Sequence, residues 1–131
     1  MRLIFRSAAV VALLTFAGAV IGLRAHHSFE AEYDSSKVIT ISGTVTKLDW
    51  INPHAFIVID SKDTAGAVRS YKVEMGPPYA LQRGGWKRDT IKIGDRVTVE
   101  GAALAKSGKD EAGSMPTTQM VLASGQKLPM R

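Results

Sequence analysis

From Val38 onward, apolar and polar positions alternate strictly. Ile39, Ile41, Gly43 and Val45 fall on one face, and Thr40, Ser42, Thr44 and Thr46 on the other. A period of two marks a strand buried on one side. Leu48 and Trp50 continue the apolar set one residue out of step, which predicts a β-bulge near Thr46-Lys47, and Gly43 permits a sharp bend in the same strand. Asn52-Pro53 is a turn pair, because proline fixes its own φ and pushes the preceding residue toward extended geometry. Residues 55–59 then form a continuous apolar run, so the first two strands make a tight hairpin with His54 at its turn.

A polar loop with a glycine (residues 61–67) leads to a third alternating stretch that places Tyr71, Val73 and Met75 on one face. Gly76-Pro77-Pro78 stops it. Pro78–Arg83, with proline at its start and Gly84-Gly85 past its end, has the asymmetry of a short helix. Residues 96–101 alternate again with Val97 and Val99 inward, residues 105–117 are rich in lysine, glycine and serine and predict a mobile loop, and residues 118–123 predict a last strand.

Five strands, a helix between the third and fourth, and a bent, bulged first strand predict an all-β protein. The expected architecture is a small five-stranded Greek-key (OB-like) barrel with one short helix, with a β-sandwich as the alternative. Its expected core is Ile41, Val45, Trp50, Phe56, Val58, Tyr71, Val73, Val97 and Val99. The expected domain map is a signal peptide at 1–25, an extended arm at 26–37 that docks by Phe29 and Tyr33, the barrel at 38–125, and a polar tail at 126–131.

The formal charge of +5 changes this picture only until the basic residues are located. Arg2, Arg6 and Arg24 precede any acidic residue and sit in the segment expected to be removed, so 5 − 3 leaves +2 for the mature chain. That balance argues against nucleic acid as a partner. Two early arginines, an apolar run over residues 8–23 and small residues after it have the layout of a secretory signal, too short for a comfortable membrane span. The expectation is an exported protein without a stable membrane anchor. Cleavage after Ala19 best fits the rule of small residues, whereas cleavage after Ala25 makes His26 the N-terminus. With no cysteine in the chain, a metal would have nitrogen and oxygen ligands alone.

Histidine occurs only at 26, 27 and 54. Neutral imidazole is the commonest metal ligand, and a freed α-amine adds another nitrogen, so His26, His27 and His54 are the candidate ligands of a copper or other divalent ion. The competing reading keeps these as hydrogen-bonding surface residues and places function on Trp50, Asn52 and Trp86, the ligand-binding face of an adaptor for a periplasmic protein or small ligand. No phosphate-binding glycine loop, nucleophile elbow or paired carboxylates stand out, so binding ranks above catalysis.

The motifs Ala25-His26-His27-Ser28-Phe29, Glu32-Tyr33-Asp34, Gly43-Thr44-Val45, Asp49-Trp50, Asn52-Pro53-His54-Ala55, Gly85-Trp86 and Gly94-Asp95-Arg96-Val97 together resemble an uncharacterised family of small exported bacterial proteins, a domain of unknown function. The resemblance covers nearly all of the mature chain. It implies a periplasmic or secreted bacterial protein whose mature region begins near the His-His pair, and it brings no activity, cofactor or catalytic residue with it.

Overall fold

The computed structural model describes residues 29–131; the expected signal segment, His26 and His27 lie outside the described residues. Among the described residues seven strands occur in the order β1 (Tyr33–Asp49), β2 (Phe56–Lys62), β3 (Val68–Glu74), β4 (Arg96–Ala105), β5 (Glu111–Gly113), β6 (Gln119–Leu122) and β7 (Lys127–Pro129), with helix α1 (Pro78–Arg83) between β3 and β4. Hydrogen bonding runs β1-β2-β3-β5-β4 and returns to β1 through a β1–β4 pairing, so five strands close a ring. Closure removes the free edges that an open sheet would expose. The protein is an all-β barrel, as the alternation predicts.

β1 serves two neighbours because it is long and bent. Its residues from Tyr33 to Thr44 pair with β4, and those from Thr44 to Asp49 pair with β2. The register slips between Val45 and Lys47, where the phase change in the sequence places a bulge. At the crossover sits Gly43, where a Cβ would fall on the Asp60 carbonyl oxygen and 2.7 Å from its carbon.

Ile41, Val45, Val73, Val97 and Val99 are buried as expected. The second strand has the opposite phase from the one expected. Ala55, Ile57 and Ile59 are fully buried, whereas Phe56 and Val58 lie on the outer face and are only half-buried. Trp50 and Tyr71 are likewise half-buried and pack against the core from its margin. A run of five apolar residues carries no alternation, so the pairing with β3 decides which side faces in. Accordingly, Ile57→Ala should cost about 2–5 kcal/mol and Val58→Ala markedly less, since only the first leaves a hole among packed neighbours. Parallel thermal unfolding of the two variants checks this, and equal losses would contradict the assigned phase.

The C-terminal third departs most from expectation. The segment read as a mobile loop supplies β5, whose three residues pair parallel with β3 and antiparallel with β4 and thereby close the barrel. Residues 119–122 do form a strand, but outside the ring, on β4. The expected polar tail contributes β7, and its Leu128 and Met130 are buried. The expected extended arm is not found either, because residues 29–32 are helical and β1 begins at Tyr33, and Glu32–Arg131 form one compact unit.

Candidate functional site

His54 follows an Asn52-Pro53 peptide bond that is cis. Its position is fixed by the next residue. The Ala55 N–H donates to the Gly76 carbonyl at 3.1 Å and the Ala55 carbonyl accepts from Met75 N–H at 2.8 Å, which binds the hairpin turn to the end of β3. Phe56 then pairs with Glu74. Side chains alternate along a strand, so with Val73 and Met75 inward, Glu74 points out of the barrel on the side of His54.

There the His54 imidazole places Nδ1 2.5 Å from Oε1 of Glu74. The other carboxylate oxygen, Oε2, accepts from the Tyr33 hydroxyl at 2.7 Å. Burial, reinforced by the hydrogen bond to Glu74, pushes the Tyr33 hydroxyl well above its ordinary range. Tyr33 therefore remains a donor at physiological pH, and Glu74 is held between two donors. A carboxylate at Nδ1 selects the tautomer that carries its proton there and leaves the Nε2 lone pair open. Nε2 has no hydrogen-bond partner among the described residues, and the side chain is 36% exposed.

This arrangement orients an imidazole toward an electrophile from solvent. It supplies one ligand only: no group of three or more histidine, aspartate and glutamate side chains suited to a metal occurs among the described residues. Glu74 and Tyr33 were not apparent as its partners in the sequence, where Tyr33 reads as an apolar anchor and Glu74 as one more outward strand position. The available hint is that Glu74 is the single acidic residue of β3.

The tryptophans come together, with ring centroids 6.4 Å apart and planes tilted by 37°. Trp86 is nevertheless 2% exposed, and its indole N–H donates to the Pro129 carbonyl at 2.6 Å. Of the three residues on the expected ligand face, Trp50 is half-buried, Asn52 is exposed, and Trp86 belongs to the core.

A sequence profile described as a family of unknown function (DUF6152) matches residues 13–114. The chain belongs to that family. No curated protein and no solved structure matches it significantly. The matched segment contains His26, His27, Tyr33, His54, Glu74, Trp50 and Trp86.

Proposed function

We propose that this member of the family is an exported bacterial protein whose barrel binds a divalent metal, copper above others, through Nε2 of His54. One observation supports the reading most: the imidazole is clamped at Nδ1 by a carboxylate that is itself fixed by Tyr33. Metal-binding histidines characteristically donate their second N–H to such a carboxylate, which orients the ring and raises its basicity. His26 and His27 are the only other imidazoles in the chain and are the proposed remaining ligands. If cleavage follows Ala25, the α-amine of His26 joins them, and it titrates low enough to bind metal at neutral pH. A set of nitrogen ligands without thiolate suits copper(II), which heads the divalent affinity order.

Copper titration of protein starting at His26 tests this. His54→Ala should weaken binding at least about tenfold, and Glu74→Gln by about 10–100-fold, because a neutral partner holds the same ring with less basicity. One alanine added before His26 should also weaken it by displacing the amine from the imidazole. Equal affinity in all variants would remove His54 from the site and leave the imidazole–carboxylate pair as a structural contact.

A further inference from the structure

At the end of β3 remote from Glu74 and α1, the barrel encloses a half-open cavity of about 270 Å³. Mouths of β-barrels are recurrent sites for small ligands, which combine an apolar wall with a few convergent polar groups. Both are present. Ile39 of β1, Tyr71 of β3 and Leu104 of β4 form the apolar wall, and Arg69, Lys109 and Asp110 the polar one.

The polar wall has a definite charge. Arg69 lies over the Tyr71 ring, 5.5 Å from its centroid, and is held by Asp110, which accepts from Nε at 3.3 Å and from Nη2 at 2.5 Å. That pair is neutral overall, and the Nη1 protons are not used by it. Lys109 has no ion-pair partner among the described residues. Asp63, which also acts electrostatically on Arg69, is engaged by the backbone N–H groups of Ala65 and Ala67 in its own turn. Among the lining residues Arg69 is paired with Asp110 and Lys109 is not paired, so the rim of this part-apolar cavity offers one cation to a single negative charge. A volume just below the usual range for drug-sized ligand sites selects one ring or a short chain.

We propose that this cavity binds a small organic monocarboxylate, its apolar body against Ile39, Tyr71 and Leu104 and its carboxylate at Lys109 and the open side of Arg69. The site lies at the opposite end of β3 from His54, so the proposal stands or falls independently of metal binding.

Titration calorimetry of the exported chain with benzoate, benzamide and benzamidine tests it, since the three probes share a ring and differ in charge. Benzoate should bind best and benzamidine worst, and added salt should narrow the gap. Lys109 is exposed in a turn, so Lys109→Gln should fold normally while lowering benzoate affinity about fivefold, to the level of benzamide, and leaving benzamide unchanged. The proposal is overturned if benzoate binds no better than benzamide or shows no heat at millimolar concentration. Unaltered benzoate binding by Lys109→Gln, or preference for benzamidine, would overturn it equally, the latter by making Asp110 the dominant charge.

Discussion

Gly43→Val should lower the melting temperature by more than about 10 °C or prevent cooperative folding altogether. The reason is the approach of two backbones. β1 passes from β4 to β2 at residues 43–44, and a Cβ at position 43 would overlap the carbonyl of Asp60, the neighbour of Ile59 on β2. A flexible side chain could swing aside, but a strand backbone held by pairing on both edges cannot. β2 must therefore move away from β1, and with it the fully buried Ile57 and Ile59. Overpacking of this kind costs about 1–3 kcal/mol even where side chains can yield, and a backbone collision exceeds that. Thr40→Val is the control, since its side chain lies on the exposed face of the same strand and valine suits a strand. Thermal unfolding followed by circular dichroism distinguishes them; similar melting temperatures would mean that the strands do not come so close.

Which parts of this barrel were legible in the sequence follows from where a period of two exists. β1 announces itself by eight alternating positions, and its bulge by a single slip in phase, because one face is continuously buried along it. The 71-73-75 face of β3 and the 97-99 face of β4 are legible for the same reason. β2 is not, because its apolar run satisfies either phase, and the choice belongs to a neighbouring strand. β5 is invisible for another reason: Glu111-Ala112-Gly113 is too short to show a pattern and is extended only because β3 and β4 offer it partners on both sides. β7, Lys127-Leu128-Pro129, reads as tail because only Leu128 of its three residues is buried.

The candidate site divides in the same way. His54 stands out because histidine is rare in the chain and this one follows a turn. Its partners are set by tertiary geometry, in that Glu74 is 20 positions away along the sequence and adjacent only through the β2–β3 register, and Tyr33 reaches the same carboxylate from 41 positions away. A tyrosine on a polar arm reads as a hydrophobic anchor. Here its ring is buried and its hydroxyl also orients the carboxylate that orients the imidazole. The arm residue and the turn residue thus join in one hydrogen-bonded chain, which no local pattern reveals.

Trp86→Ala should cost about 3–5 kcal/mol, a large part of the roughly 5–15 kcal/mol that stabilises a domain of this size. Trp86 follows α1 and enters the core with Leu81, Leu128 and Met130. Its N–H also reaches the Pro129 carbonyl, beside the point where a Cβ on Gly84 would come within 2.6 Å of the Pro129 ring. The indole therefore joins the end of α1 to β7, a strand of three residues with few hydrogen bonds of its own. Trp86→Phe separates the two contributions: the phenyl ring keeps much of the apolar contact, while the Pro129 carbonyl loses its donor at a cost of about 1–3 kcal/mol. Phenylalanine should accordingly lower stability by less than alanine and yet accelerate amide exchange selectively in β6 and β7, whose pairing depends on Pro129 staying in place. If Trp86 instead served an exposed ligand face, alanine would leave the melting temperature nearly unchanged, and exchange in β6 and β7 would not respond to either variant.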